Sequence, residues 1–327
     1  MFEDFKVFET EVAGRKLSIE TGKMAQLANG AVLVRYGETN VLCTATMSDK
    51  PREGVDFFPL SVDFEEKLYS VGKIPGSFQR REGKASEKAV LASRVIDRPI
   101  RPLFPKDMRN DVSVVATVMS VDPDCSPEIA AMWGVSTALA ISEIPWDGPV
   151  SSVSLGLVDG KYVINPTLEE RAKTEMTVTV ASTDSLVAMI EAGANEVSNE
   201  VMFDGIMFAH EENKKIVEFI KGIAKEIGKE KIPFESNDPS EELYNAVKEL
   251  AIDDVKAALD TDDKRIRDER LRPIYDRVHE ELDEKFPEEA TKIDDCLYKL
   301  QKYIVRRWLL DEGKRVDGRG LDEIRPL

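Results

Sequence analysis

Apolar and polar residues alternate in short segments along most of the first two-thirds of the chain. Such alternation is typical of β-strands with one buried face. The segments are FKVFETEV, RKLSIETG, AVLVRY, VLCTATM, PLSVDFEEKLYS, DVSVVATVMSV, VSSVSLGLV, KYVIN, EMTVTVAST and SLVAMIEAG. The tetrapeptide Gly37-Glu38-Thr39-Asn40, between the third and fourth segments, predicts a hairpin turn.

Three other segments of this region have the spacing of helices. Apolar residues recur at helical intervals after Ser86, which can serve as an N-cap, and Pro99 and Pro102 are expected to end that helix. A second helix is predicted over SPEIAAMWGVSTALAISEIP, with Ser126 as N-cap and Pro127 at the first helical position. The third is a long amphipathic helix with isoleucines along one face, at Ile216, Ile220, Ile223 and Ile227. Strands and helices together predict an α/β (α+β) fold with mixed sheets and packed helices.

The pattern changes near residue 236, where a polar stretch, SNDPS, interrupts it. Residues 236–310 contain no strand-like run, and their apolar positions have helical spacing, as at Leu243, Val247, Leu250 and Val255. We therefore predict a core domain over residues 1–235 and a small all-helical domain over residues 236–310. We predict that residues 311–327 are the start of a further domain, and we expect the chain to be a truncated piece of a longer protein.

Composition narrows the class of protein. The chain has 327 residues, of which 42% are hydrophobic and 33% charged, as is usual for folded domains. Its three cysteines, Cys43, Cys125 and Cys296, are far apart and form no metal-binding or disulfide pattern. The beginning, MFEDFKVFET, lacks the apolar core of a signal peptide, and the longest apolar run, near residues 112–121, is too short to span a bilayer. We expect a cytoplasmic protein with no membrane partner.

Positive charge is concentrated in one part of an otherwise acidic chain. The net charge is −17, but residues 73–109 contain ten basic and four acidic residues, so this window is +6 and the remaining 290 residues carry −23. A local basic site on an acidic body limits non-specific binding and focuses a phosphate chain onto one place.

The centre of this window is the loop IPGSFQRREGKASE, at residues 74–87. Phe78 offers a stacking surface for a base, and Arg80 and Arg81 offer charges for phosphates, all within four residues. The alternative is a solvated loop whose arginines pair with Glu82 and its neighbours.

Three blocks of this sequence closely resemble the first core domain of bacterial polynucleotide phosphorylases: IETGKMAQLANGAVLVRYGETNVLCTAT, IPGSFQRREGKASE and RVIDRPIRPLFP. Residues 236–310 occupy the place of that family's all-helical linker domain. The tail GKRVDGRGLDEIRPL resembles the opening of its second RNase PH-like core domain. The resemblance covers the whole chain, which would be less than half of such a protein.

The resemblance implies a 3′-to-5′ exoribonuclease in mRNA degradation that uses inorganic phosphate and Mg²⁺ to release nucleoside diphosphates. It implies a ring-shaped homotrimer of RNase PH-like domains, with single-stranded RNA threading a central channel. A partner in an RNA-degradation complex is compatible with it but is not identified by the sequence. The alternative is a non-catalytic RNase PH-like subunit that binds RNA or builds an assembly.

The resemblance also places the basic loop at the neck of the channel. The family's usual pattern has two adjacent aromatic residues before the paired arginines, and here Gln79 stands at the second. We therefore predict an RNA-binding set that consists of Phe78, Gln79, Arg80, Arg81, Lys84, Arg94, Arg98 and Arg101. For the last three arginines, ion pairs with Asp97 or across a subunit interface are the alternative.

No catalytic and no metal-binding residue is predicted in this chain. In the family's catalytic second core domain, small serines at a helix N-terminus hold phosphate, whereas here Pro127 offers no N–H and Glu128 repels an anion. The stretch GKYVINPTLEERAKTEMTVTVAST has no aspartate where that domain clusters them for Mg²⁺. His210 and His279 stand alone. Mg²⁺ and phosphate are therefore expected in the full-length enzyme but not in this segment, which would guide RNA and build the trimer.

Overall fold

The computed structural model describes residues 4–52, 54–55, 57–76 and 78–326. The chain divides into two compact units, one up to Ser236 and one from Asn237 onward. Each unit has its own hydrophobic core.

The first unit contains two sheets. One has six strands in the order β1-β2-β3-β4-β6-β5, antiparallel throughout except for the parallel pair β5 and β6. The other has four antiparallel strands in the order β10-β9-β7-β8. The strands are β1 Lys6–Val12, β2 Arg15–Thr21, β3 Gly30–Tyr36, β4 Thr39–Pro51, β5 Leu60–Glu66, β6 Asn110–Ser120, β7 Ser151–Val158, β8 Lys161–Ile164, β9 Met176–Ser182 and β10 Val187–Ala194.

The predicted hairpin is present between β3 and β4. The strands pair in register from Gly30↔Ala45 to Tyr36↔Thr39, so that only two residues form the loop. Gly37 has a φ of +55°, a conformation that glycine adopts without steric cost.

Seven helices are described in the two units. They are α1 Glu87–Ile100, α2 Pro127–Ile141, α3 Leu168–Arg171, α4 Asn199–Ile227, α5 Glu241–Leu259, α6 Lys264–Leu282 and α7 Ile293–Arg307. Among the residues described, no helix is both long enough and apolar enough to cross a membrane.

Helix α2 is the centre of the first unit. It contacts β3 and β4 of one sheet, β7 of the other, and α4. Its N-terminus is as predicted, because Pro127 is the first helical residue and the Ser126 hydroxyl accepts from the N–H of Ile129. Trp133 is fully buried and joins the two sheets: its ring meets Tyr36 edge-on at 5.0 Å, and its indole N–H donates to the Ser152 carbonyl at 2.8 Å.

The structure corrects two predicted boundaries. Helix α1 begins after Ser86 as expected but contains Pro99 and ends at Ile100. Pro99 lies in the last turn, and the N–H of Arg101 still donates to the carbonyl of Asp97, so the proline removes one hydrogen bond without breaking the helix. Strand β5 stops at Glu66, whereas it was expected to reach residue 70. Residues Leu68–Val71 form a 3₁₀ turn that Gly72 closes with a φ of +70°.

The second unit is built from α5, α6 and α7 around a shared apolar core. Its core residues include Leu243, Val247 and Val255 of α5, which are fully buried, as their spacing predicts. No strand is present among its described residues, and residues 313–326 form turns and irregular backbone. All three cysteines of the chain are buried and free.

Candidate nucleic-acid interface

Two carboxylates connect the basic loop to the residues that precede it. The N–H of Leu68, six residues before the loop, donates to Glu82 Oε1 in the second half of the loop at 2.9 Å. At its end, the hydroxyl of Ser86 donates to Glu66 Oε2 at 2.7 Å and accepts from the N–H of Ala89 at 3.0 Å, which caps α1. Glu82 therefore satisfies a backbone donor fourteen residues earlier, instead of pairing with the arginines beside it. Hydrophobic periodicity gives no signal for a contact between residues fourteen positions apart.

The tip of the loop projects its side chains into solvent. Phe78 has a relative exposure of 103%, and Gln79, Arg80 and Arg81 are exposed with it. Arg80 has a φ of +53°, which non-glycine residues rarely adopt, and its guanidinium makes one long hydrogen bond to the Pro75 carbonyl at 3.3 Å. Ser77 lies outside the described residues.

The arginines at the loop tip are not neutralised by neighbouring carboxylates. In the part of the chain that the structure describes, Arg80, Arg81 and Lys84 make no salt bridge. An exposed aromatic ring beside unpaired cations is the chemistry that single-stranded nucleic acid needs, since rings stack on bases and cations contact phosphates.

The arginines of α1 differ from one another in their surroundings. Arg94 is exposed and has no salt-bridge partner among the described residues. Arg98 is exposed but pairs with Glu191 of β10 at 2.6 Å. Arg94 is therefore available to a ligand, whereas Arg98 must first leave a carboxylate.

Arg101 has a structural environment. Its guanidinium donates to both carboxylate oxygens of Asp97, at 2.7–3.1 Å, and to the carbonyls of Phe58 and Leu60 at 3.3 and 3.1 Å. These bonds hold the C-terminal end of α1 against the start of β5. The ion pair with Asp97 is the alternative that the sequence left open for this arginine.

A groove of about 1170 Å³ adjoins the loop. Its walls are β5, the loop residues Glu82–Ser86, one face of α1, the N-terminus of α2 and α3. The N-terminus of α2 is where a helix would offer free N–H groups to an anion.

Glu128 occupies that N-terminus. Its Oε2 accepts from the Ser126 hydroxyl at 2.6 Å, and its Oε1 lies 3.1 Å from Lys88 Nζ. Burial raises the pKa of this carboxyl, but the hydrogen bonds from Ser126 and the backbone, together with the charge of Lys88, hold the pKa below its usual value. The carboxylate is ionised at neutral pH and neutralises the positive end of the helix dipole.

Comparison with known proteins gives matches across both units. Residues 13–145 match the family model "3' exoribonuclease family, domain 1", and residues 148–212 match domain 2 of the same family. Residues 242–320 match "Polyribonucleotide nucleotidyltransferase, RNA binding domain". The chain is 58% identical over 323 residues to a polyribonucleotide nucleotidyltransferase of Ruminiclostridium cellulolyticum, covering 99% of this chain and 46% of that protein. The chain belongs to the polyribonucleotide nucleotidyltransferase family.

Other members of this family have similar levels of identity. A polyribonucleotide nucleotidyltransferase of Caldicellulosiruptor saccharolyticus is 55% identical over 98% of this chain and 46% of its own length. One of Clostridioides difficile is 53% identical over the whole chain and 47% of its own length. The chain thus spans about half the length of the curated relatives it matches.

The solved structure of rice Rrp46 supports the fold. It superposes with a TM-score of 0.51 at 14% sequence identity, covering 68% of this chain and 96% of that one. At this identity, the likeness concerns the fold alone.

The cofactors that the resemblance implies for polyribonucleotide nucleotidyltransferases do not fit the described residues of this chain. No group of three or more His, Cys, Asp or Glu side chains among those residues is arranged to hold a metal ion. Glu170, one of the acidic residues of the aspartate-free stretch, accepts from the N–H and hydroxyl of Thr167 in a capping box. An anion at the N-terminus of α2 would meet the carboxylate of Glu128.

Proposed function

We propose that this chain is the N-terminal part of a phosphorolytic exoribonuclease in mRNA degradation. The full-length protein would shorten single-stranded RNA from its 3′ end and release nucleoside diphosphates. The observation that carries this proposal is 58% identity, over nearly the whole chain, to a protein named polyribonucleotide nucleotidyltransferase.

Within that protein, we assign the basic loop the role of guiding RNA. Phe78 stacks on a base, Gln79 hydrogen-bonds a base edge, and Arg80, Arg81 and Lys84 contact phosphates. The support is the exposure of all five side chains and the lack of carboxylate partners for the three cations within the described part of the chain. Three copies of the loop at one axis, in a homotrimer, would form a narrow basic passage.

We assign graded roles to the arginines of α1. Arg94 contacts RNA directly, because it is exposed and unpaired among the described residues. Arg98 contributes after its bridge to Glu191 opens, at a cost of at most about 1 kcal/mol for an exposed pair. Arg101 contributes only long-range positive potential, since its donors bind Asp97 and two carbonyls.

The cofactors and the chemistry belong to another part of the protein. Mg²⁺ and inorganic phosphate act in the full-length enzyme, and no step is assigned to residues of this chain. The proposed division is a first RNase PH-like core domain over residues 1–235, a helical linker domain over 236–310 and the start of a second core domain over 311–327. Cytoplasmic location, the homotrimer and an RNA-degradation complex remain part of this proposal.

The test is a product analysis with the full-length protein. Incubation with poly(A), Mg²⁺ and phosphate should release ADP, and release should stop when either phosphate or Mg²⁺ is withheld. AMP formed without phosphate would mean hydrolysis and would overturn the proposal. RNA binding without any release of nucleotides would favour the alternative, a non-catalytic RNase PH-like subunit.

A further inference from the structure

Helix α7 is amphipathic in a regular way. Its buried side chains, among them Cys296, Leu297, Leu300 and Ile304, face the core of the second unit. Its exposed side chains come in pairs that recur every four residues: Tyr298 and Lys299, Lys302 and Tyr303, Arg306 and Arg307. Residues four apart lie on the same face of a helix, so these six side chains form one surface.

The net charge of this surface is opposite in sign to that of the surrounding domain. Residues 296–310 contain four basic and no acidic residues. The other residues of the segment 236–310 contain twenty acidic and ten basic residues. Residues 296–310 are thus a basic segment in a domain whose other residues carry a net negative charge.

Two cations at the centre of this surface face aromatic rings instead of carboxylates. Lys302 Nζ lies 4.0 Å from the ring centroid of Tyr298, and Lys248 Nζ of α5 lies 5.1 Å from that of Tyr303. Arg306 has no salt-bridge partner in the region that the structure describes. Two cations at the edge are paired, Lys299 with Asp238 and Arg307 with Asp311.

We propose that the α7 face, which consists of Lys248, Tyr298, Lys302, Tyr303 and Arg306, is a binding site for single-stranded RNA. Lys248, Lys302 and Arg306 contact phosphates, and the half-exposed rings of Tyr298 and Tyr303 stack on bases. The choice of single-stranded RNA as the ligand rests on the proposed function. The α7 face adds to that function a second RNA contact besides the basic loop.

An acidic protein surface is the other ligand that a basic face attracts. RNA fits better because the cations alternate with exposed aromatic rings, and every base has a face on which a ring can stack. In addition, residues 242–320, which contain the α7 face, match a family model named for RNA binding.

The test uses the 327-residue chain with Arg80→Ala and Arg81→Ala already in place, so that the basic loop contributes little. Fluorescence anisotropy with a labelled oligo(U) of about eight nucleotides measures affinity at several salt concentrations. Lys302→Gln with Arg306→Gln should weaken binding about fivefold and make the logarithmic salt slope shallower by about 1.4, for two phosphate contacts on a single strand. The matched control is Lys256→Gln with Lys264→Gln, which removes the same charge from exposed positions elsewhere in the domain.

Substitutions of Tyr298 test the contribution of stacking separately from that of charge. Tyr298→Ala should weaken binding about tenfold with little change of the salt slope, because stacking releases no counterions. Tyr298→Phe should bind like the parent chain. Circular dichroism spectra verify that each variant is folded.

Equal losses in the control and the α7 variants would show a general charge effect and overturn the proposal, as would no loss in either. Displacement of the oligonucleotide by poly(glutamate) as effectively as by unlabelled RNA would instead favour an acidic protein partner. The outcome is independent of the product analysis: full-length protein that fails to release ADP would remove the proposed activity and leave RNA binding at the α7 face standing.

Discussion

Gly134 shows how a single residue fixes the packing of the core. It lies in the middle of α2, the helix that contacts both sheets. A Cβ atom at this position would lie 2.5 Å from the sulfur of Cys43 and 2.8 Å from a methyl group of Val34. Both neighbours are fully buried on strands of the six-stranded sheet and cannot move aside.

Gly134→Ala should therefore destabilise the first unit by about 1–3 kcal/mol, the usual cost of overpacking a core. Gly222→Ala is the matched control, because Gly222 is an exposed glycine in α4 with no atom near its Cβ position. That substitution should stabilise by about 0.5–1 kcal/mol, since alanine loses less backbone entropy in a helix. Urea unfolding of both variants measures the difference, and an equally stable Gly134→Ala variant would contradict this account.

The side chains of the basic loop should separate into two classes. In the full-length protein, Arg80→Ala with Arg81→Ala should weaken RNA binding for all sequences alike and make the logarithmic salt slope shallower by about 1.4. Phe78→Ala should weaken it by about 1–3 kcal/mol with little change in slope, because a stacked ring carries no charge. Binding isotherms at several salt concentrations test both. If the double variant binds and degrades RNA like wild type, the loop is a solvated turn.

At the scale of elements, one histidine joins α6 to the start of α7. His279 Nδ1 lies 2.8 Å from Asp283, the C-cap residue of α6, and its Nε2 lies 3.0 Å from Asp294 of α7. The hydrogen bond to Asp294 raises the pKa of His279 above its ordinary value of 6.5, partial burial opposes this, and the bond to Asp283 raises it further. The protonated imidazole donates to both carboxylates.

This contact should make the second unit more stable in mild acid. A raised folded-state pKa means that the stabilisation is fully present below pH 6.5 and is lost as the pH rises through the folded value. His279→Gln should destabilise α6 and α7 at about pH 5.5 by up to about 1 kcal/mol, a small cost because the pair is partly exposed. At about pH 8 the cost should be smaller, because the imidazole is then less protonated. Hydrogen exchange of amides in α6 and α7 measures this. A cost that is the same at both pH values would exclude a charged contact.

At the scale of the whole molecule, RNA-guiding and reaction chemistry are proposed to lie in different parts of the protein. Both proposed RNA surfaces are basic, and they lie on a chain whose net charge is −17. On this proposal, the acidic remainder would repel RNA elsewhere and limit non-specific contacts.

The 327-residue chain by itself should therefore release no nucleoside diphosphate from RNA. The reasons are the carboxylate of Glu128 at the N-terminus of α2 and the lack of a metal-binding group among the described residues. Assays with equal concentrations of this chain and of the full-length protein, under identical phosphate and Mg²⁺ conditions, compare the two. Release by the chain at a rate near that of the full-length protein would show that its active site has been misplaced.

Local features of the structure could be predicted from the sequence. Three kinds of local feature were predicted correctly: the turn at Gly37, the helix caps at Ser86 and Ser126, and the isoleucine face of α4. Each depends on residues within a turn or two of one another, because backbone conformation, capping and periodic burial act over that range. The composition of the loop at residues 74–87 also predicts phosphate and base contacts, and these stay a prediction.

Long-range contacts were decided only by the tertiary structure. The 3₁₀ turn at Leu68 is held by Glu82 of the loop, and the end of the loop at Ser86 is held by Glu66 of β5. The sequence does not distinguish the three arginines Arg94, Arg98 and Arg101, but the structure gives them different partners. Arg98 pairs with Glu191, and Arg101 donates to the carbonyls of Phe58 and Leu60, all of which are distant in the sequence. The sequence by itself therefore determined which elements form and which residues bear the charge. Only the tertiary structure decided which of these charges have a carboxylate partner, because folding brings together groups that are far apart in the sequence.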